Sequence, residues 1–303
     1  MLMDTENLVV SLETIIDKKY IKINEPMNKH TTFRVGGNAR VLVSPSTIDE
    51  MISIINLLKQ NQIKYVVIGN GSNLIVSDNG YDGIVIKTSN LSTIKVDGTI
   101  IEASCGAFLS SISNKALENL LSGTEFLSGI PGTIGGAVAM NAGAYNVELK
   151  DIIYYGIVLS ESGEIVRMNK DDLKLSYRKS IIQDSNNIVL SAAVMLNYDT
   201  HEAIRSKMIE IQTKRVSTQP LNYPNAGSIF KRINGCPVGA IIENAGLKNT
   251  TIGGAKVSEK HANFIINTGN ATAADIINLI ELVKSTVKAR TNIDLETEVK
   301  IIS

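Results

Sequence analysis

Apolar residues recur along the chain at two periods, and the alternation between them sets out the elements. Ile48, Met51, Ile52, Ile55 and Leu58 fall at helical spacing behind Ser46-Thr47, which predicts a helix over Ser46–Gln60. Tyr65–Ile68 is a β-branched and aromatic run closed by Gly69 and predicts a strand, followed by short strands at Ile84–Lys87, Ile94–Val96 and Ile100–Ala103. Helical spacing returns over Ala107–Leu121, before Gly123. Ile152–Leu159 and Glu164–Met168 flank the turn Ser160-Glu161-Ser162-Gly163 and read as a hairpin, and Ile188–Leu196 reads as a further strand. His201–Val216 is predicted helical with Ile204, Met208, Ile211 and Val216 inward, and Val238–Ala245 is a short helix stopped by Gly246. Asn263–Asn267 predicts a strand, Thr272–Arg290 a long amphipathic helix opened by a Thr-x-x-Asp cap, and Leu295–Ile302 a closing strand. In that last strand, period two puts Leu295, Thr297, Val299 and Ile301 on one face and Glu296, Glu298 and Lys300 on the other. The mixture is α+β, without a solenoid repeat or a low-complexity tract.

Length narrows this to more than one core. The chain has 303 residues, and single hydrophobic cores stop growing near ~250–300 residues. Two or three subdomains are expected, with a boundary near residue 200. Thirty basic residues balance thirty acidic ones, so the electrostatic footprint of a nucleic-acid or anionic-membrane binder is missing. No apolar run is long enough to span a bilayer, and Met1 to Glu13 carries acids where a leader would carry bases, which points to a cytosolic protein. Cys105 and Cys236 lie far apart with neither zinc nor redox spacing, and read as reduced thiols. No metal site is expected.

Two glycine-rich segments carry the candidate chemistry: Gly69-Asn70-Gly71-Ser72-Asn73, directly after a strand, and Gly129-Ile130-Pro131-Gly132-Thr133-Ile134-Gly135-Gly136. Glycine lets backbone N–H groups approach an anion closely, and Ser72, Asn73 and Thr133 add side-chain donors, so a pyrophosphate could be held without Lys or Arg. The first segment lacks the third glycine of the Rossmann fingerprint and is followed by turn-like sequence, and no P-loop occurs. Ser228, in Asn225-Ala226-Gly227-Ser228-Ile229-Phe230-Lys231, follows a small flexible dipeptide able to present a hydroxyl. It lacks the Gly-x-Ser-x-Gly context and a base in a recognised hydrolase setting among His30, His201 and His261. Taken alone it reads as a turn serine, and Glu298 as part of a solvated strand face.

Together these segments resemble one family. His30-Thr31-Thr32-Phe33-Arg34-Val35-Gly36-Gly37, the Gly69–Asn73 loop, Gly129 to Tyr145, Ser176-Tyr177-Arg178, Asn225 to Lys231 and Leu295 to Val299 closely resemble the UDP-N-acetylenolpyruvoylglucosamine reductases (MurB), flavoproteins of bacterial peptidoglycan precursor synthesis. The resemblance covers the chain from about residue 20 onward. It implies an FAD-binding fold of the vanillyl-alcohol oxidase (PCMH) type in two subdomains, 1–85 and 86–200, plus a C-terminal α+β substrate-binding domain, 201–303. It also implies a two-step reaction: NADPH gives hydride to the flavin, and UDP-N-acetylglucosamine enolpyruvate then receives it at the vinyl carbon to give UDP-N-acetylmuramate. Carried over residue by residue, Ser228 is the proton donor, and Arg178 and Glu298 stabilise the enolate-like intermediate. Arg34, Gly69, Asn70, Gly71, Ser72, Asn73, Cys105, Gly106, Gly129, Ile130, Pro131, Gly132, Thr133, Gly135, Gly136 and Asn141 are the expected FAD residues, with Tyr177 and Lys231 toward the sugar nucleotide. Residues 69–74 hold neither His nor Cys, so the flavin is expected to bind noncovalently. The chain resembles the shorter subgroup, without the extra substrate-covering loop, and Arg232 stands where some members carry a small amide. A monomer is expected. The alternative is another FAD-dependent oxidoreductase of this fold, which would have no use for Arg178, Ser228 and Glu298 together.

Overall fold

In a computed structural model, residues 4–303 are described, so the first three positions of the acidic start lie outside the described residues. Among the described residues there are seven α-helices: α1 (Thr5–Glu13), α2 (Ile48–Gln60), α3 (Leu109–Glu118), α4 (Ile134–Met140), α5 (His201–Thr218), α6 (Gly239–Asn244) and α7 (Ala273–Thr291). Among the described residues no helix is long and apolar enough to cross a membrane. The described residues pack as two compact units, one of residues 4–23, 41–70 and 83–213, the other of 24–40, 71–82 and 214–303. The division at residues 85 and 200 follows chain order, whereas this one follows packing.

The first unit is built on two sheets. To one it contributes, in strand order, residues 21–23 of Ile21–Pro26, 41–43 of Asn38–Val43, 83–87 of Tyr81–Lys87 and all of Tyr65–Ile68, the last two strands parallel with Tyr65 opposite Ile84. Met51, Ile54, Ile55 and Leu58 form the buried stripe of α2 and share a core with Val41, Val43, Ile84 and Ile86. A reciprocal cap starts that helix: Thr47 Oγ1 accepts the Glu50 N–H, and the Glu50 carboxylate accepts the Thr47 N–H. The second sheet runs Ile165–Asn169, Ile153–Leu159, Ile188–Met195, Ile100–Ser104, Ile94–Asp97, antiparallel throughout. The expected hairpin is its outer pair. The helix expected over Ala107–Leu121 is shorter, since Leu120 turns left-handed at φ 58° and Leu121–Ser122 leaves to pair with Asn197–Tyr198.

The second unit gathers distant segments around one core. Phe33 and Ile75 from the early chain are buried with Ile229, Phe230, Val238, Ile242, Val257 and the α7 stripe Ile276, Leu279, Ile280 and Val283. Thr272 and Asp275 make the capping box read from sequence, and the Asp78 carboxylate accepts the N–H groups of Ala273 and Ala274, both at 2.8 Å, at the same helix start. Gly246, at φ 68°, ends α6 by returning its N–H to the Glu243 carbonyl.

Two expectations are corrected here. Leu295–Ile302 is not one strand: Thr297 bridges Phe230, and only Lys300–Ile302 forms a strand, parallel to Leu74–Val76. Leu295 and Val299 are buried as expected, but Ile301 is exposed because the partner changes between the two stretches. In α5, Ile204 and Ile211 are buried while Val216 is exposed. Five residues beyond Ile211, Val216 is rotated about 140° off that stripe.

Candidate active site

A cleft of about 770 Å³ opens in the first unit. Its walls include Gly69 after the Tyr65–Ile68 strand, Thr133, Gly135, Gly136 and Ala139 at α4, and Cys105. The two glycine loops read from sequence are therefore neighbours. Asn70 Nδ2 donates to the Pro131 carbonyl at 2.8 Å, and a Cβ at Gly69 would stand 2.2 Å from Thr133 Oγ1. Gly135 is equally constrained, since its Cβ would meet Cys105 Cβ and carbonyl oxygen at 2.9 Å. The missing side chains let three stretches of backbone converge on one wall.

Thr133 is the informative residue. Its hydroxyl is buried and, among the described residues, is the one buried side-chain polar atom without a hydrogen-bond partner. Leaving such a group unmade costs roughly 1–3 kcal/mol, so a ligand atom in the cleft is its natural partner. Thr133→Val should accordingly leave the melting temperature of the ligand-free protein unchanged or higher, while weakening retention of the ligand about tenfold or more. Calorimetry and ligand titration of the same two samples check both halves.

Cys105 contributes shape and not reactivity. Burial pushes its thiol up to about 12, so thiolate is scarce at neutral pH. Cys236 is exposed. One thiol should titrate rapidly with a disulfide reagent in the folded protein, and the second only on unfolding. Gly106 lies behind the wall, with its N–H on the Leu91 carbonyl at 2.9 Å. Gly129, Ile130, Pro131 and Gly132 form the turn leading to Thr133, braced by Ile130 N–H to the Leu127 carbonyl and Leu109 N–H to the Gly132 carbonyl.

The same unit holds Arg178 in a tight turn in which Ser176 and Lys179 exchange both backbone hydrogen bonds. Arg178 occupies the third turn position at φ 55°, where Gly or Asn is usual. A non-glycine residue there stores about 1–2 kcal/mol of strain, and its surroundings hold it in place. Asn141, fully buried at the left-handed end of α4, donates to the Ser176 carbonyl at 2.9 Å, and Gln183 donates to the Arg178 carbonyl at 3.0 Å. Asn141 also bonds Glu148 and the Lys150 N–H, so protein groups engage both ends of its amide. The Arg178 guanidinium donates to the Gly143 carbonyl at 3.2 Å, lies 3.9 Å from the Glu148 carboxylate and 4.9 Å from the Tyr177 ring centroid. Tyr177 itself is exposed.

The second unit holds the rest. Gly71 takes φ 64°, and a Cβ there would come within 2.1 Å of the His30 carbonyl, so only glycine fits. Asn73 Nδ2 donates to the Glu298 carbonyl at 3.1 Å, while Ser72 is half-buried. Arg34, exposed, also sits at positive φ. Residues 229–231 pair antiparallel with 296–298: Glu298 N–H to the Ile229 carbonyl at 2.7 Å, Lys231 N–H to the Glu296 carbonyl at 2.9 Å. This brings Ser228 and Glu298 within one register step across some seventy residues of chain. Lys231 Nζ pairs with the Glu296 carboxylate.

Three contributors had no motif to announce them. The cleft's far wall comes from Leu58–Ile68 and Ile182–Val189, ordinary helix-end and strand sequence that contributes by position. Glu148 beside Arg178 follows the small-residue stretch but matches no pattern. Asn263, an amide buried next to Phe230, was visible as one polar residue in an apolar run.

Comparisons with known proteins bear on the same segments. Residues 39–169 match the family described as FAD binding domain, and residues 219–302 match the family described as UDP-N-acetylenolpyruvoylglucosamine reductase, C-terminal domain. The UDP-N-acetylenolpyruvoylglucosamine reductase of Caldanaerobacter subterraneus subsp. tengcongensis is 48% identical over 98% of both chains, and that of Clostridium botulinum (strain Okra / Type B1) is 46% identical over 98% of this chain and 97% of its own. The crystal structure of the Thermus caldophilus enzyme (MurB) superposes with a TM-score of 0.80 at 31% identity, covering 93% of this chain and 98% of that one. A variant of Phl p 4, a glucose oxidase, shares the fold alone: TM-score 0.51 at 11% identity, over 64% of this chain and 44% of its own. The cofactor is FAD, and the first unit's cleft fits it, with a buried hydroxyl lacking a protein partner and glycines where any side chain would fill the space. The chain belongs to the UDP-N-acetylenolpyruvoylglucosamine reductase family.

Proposed function

We propose that this protein reduces UDP-N-acetylglucosamine enolpyruvate to UDP-N-acetylmuramate with NADPH as electron source, in the cytosol, as a step of peptidoglycan precursor synthesis. When bound, FAD supplies the hydride chemistry, taking hydride from NADPH and passing it to the vinyl carbon of the substrate. Gly69, Asn70, Thr133, Gly135 and Gly136 hold it, with Gly71, Ser72 and Asn73 completing the loop and Cys105 as an inert wall. The flavin is held without a covalent bond, so denaturant should release it intact.

Hydride addition to an enol ether conjugated with a carboxylate builds negative charge on that carboxylate. The Arg178 guanidinium, and Glu298 as a carboxylic acid donating its O–H, stabilise this charge, and Ser228 Oγ gives its proton to the neighbouring carbon. A serine hydroxyl is a weak acid, but the carbanionic centre is strongly basic, and positioning makes the transfer favourable. Tyr177 and Lys231 face the sugar nucleotide's polar groups.

The observation that supports this reading is the antiparallel pairing of residues 229–231 with 296–298, which leaves Ser228 one register step from Glu298. An FAD oxidase of the same fold needs no such pair. An anaerobic absorbance spectrum tests the function directly. The yellow protein should bleach with NADPH and regain colour on addition of the enolpyruvyl substrate; a protein that bleaches but is reoxidised only by oxygen would be an oxidase.

A further inference from the structure

The backbone that follows Ser228 is held from both sides. On one side lie the bonds to residues 296–298. On the other lies Asn263, 6% exposed, which makes three hydrogen bonds to two consecutive residues. Its main-chain carbonyl accepts the Ile229 N–H at 2.8 Å, its Oδ1 accepts the Phe230 N–H at 2.9 Å, and its Nδ2 donates to the Phe230 carbonyl at 2.9 Å. The side chain thus does what a neighbouring strand would do, giving one donor and one acceptor to the same residue. Only an amide offers both together; Asp supplies acceptors alone and Leu neither. Asn263 is itself steadied by its N–H, which donates to His261 Nδ1 at 3.2 Å.

The chain before Ser228 is different. Gly227 sits at φ 77° with nothing within 4 Å of where a Cβ would stand, and its bond to Asn225 Oδ1, at 2.9 Å, is local. Ala226, two residues before the serine, is buried in the core and the Asn225 carbonyl accepts the Thr32 hydroxyl at 2.7 Å, so Gly227 is the one open link between that anchor and the serine. The fixed backbone directly next to the serine is that of Ile229 and Phe230. Proton transfer requires the hydroxyl within about 2.6–3.2 Å of its target, and a displacement of about 1 Å costs on the order of 100-fold.

We infer that Asn263 is the positioning residue for the Ser228 hydroxyl, acting through the backbone of Ile229 and Phe230. The inference rests on Ser228 being the proton donor. Its test is a double-mutant cycle on the FAD-loaded enzyme, using Asn263→Ala, Ser228→Ala and the pair. Anaerobic stopped-flow follows flavin reduction by NADPH and reoxidation by UDP-N-acetylglucosamine enolpyruvate separately.

Asn263→Ala should slow reoxidation roughly 10–100-fold and leave flavin reduction within about two-fold. Added to Ser228→Ala, it should cost less than about a further two-fold, because the hydroxyl it positions is gone. A full additive loss in the double variant, equal slowing of both half-reactions, or no slowing overturns the positioning role alone. An unimpaired Ser228→Ala would remove the proton-donor reading, and the positioning role with it. Should Asn263→Ala fail to fold, Asn263→Asp keeps the acceptor for the Phe230 N–H, and the same non-additivity decides the matter.

Discussion

Ser228→Ala should leave bleaching of the flavin by NADPH within about two-fold of the unmodified protein and slow reoxidation by the enolpyruvyl substrate by roughly 10²–10⁴-fold, the range expected for losing a positioned general acid. The asymmetry is the substance of the expectation. NADPH reduction moves hydride and asks nothing of a serine hydroxyl, whereas the second half-reaction leaves a carbanionic centre that must be protonated. The substitution removes one oxygen from a half-buried side chain. Among the described residues that hydroxyl has no protein partner to lose, so the fold and the flavin content should be retained. Single-turnover absorbance under argon separates the two steps. Equal slowing of both, or of neither, would take the proton-donor role away from Ser228.

Gly106→Ala should produce the largest loss of stability of any single methyl added near the cleft. A Cβ there would lie 1.7 Å from the Thr88 carbonyl oxygen, 2.6 Å from its carbon and 2.9 Å from the Leu91 carbonyl. All three are backbone atoms, so no rotamer change relieves the clash. Overpacking of this kind costs typically 1–3 kcal/mol and occasionally more; with backbone on every side we expect about 3 kcal/mol, a fall in melting temperature on the order of 6–12 °C. The damage should also reach the ligand. Thr88 is itself a cleft residue, and its hydroxyl bonds the Ile68 carbonyl at 3.3 Å, just before Gly69. Calorimetry and flavin content measured on the same preparation give both quantities, and an unchanged melting temperature would mean the two turns part more easily than their bonding suggests.

What could be read from the sequence was what depends on neighbours along the chain. The cap of α7 lay in four consecutive residues, and the hairpin around Ser160 to Gly163 and the strand Tyr65–Ile68 each carried their own punctuation. The two glycine loops were visible as phosphate-holding sequence, and the structure adds that they share a wall. What could not be read depended on partners far away. The stretch Leu295–Ile302 has one uninterrupted alternating pattern, yet its first half bridges Phe230 and its second half pairs with Leu74–Val76, and nothing within eight residues encodes a change of partner. The buried face of α5 ran out before Val216 because spacing of five does not stay on a helical stripe. Asn263 shows the same limit in a side chain. Its amide is explained only by the Phe230 backbone opposite, more than thirty residues earlier in the chain.

The strand Leu74–Val76 finds its parallel partner, Lys300–Ile302, more than two hundred residues later. During synthesis Leu74–Val76 is therefore made long before its partner, and that part of the second unit stays unpaired until Lys300–Ile302 has left the ribosome. Contacts so distant in sequence are the slow ones to form, and until then Ile75 and Phe33 lack the α7 side chains that later bury them. Deleting Lys300–Ile302 should thus leave the Leu74–Val76 backbone without its ladder partner at the edge of this core, a fault that would first be felt as dependence on chaperones.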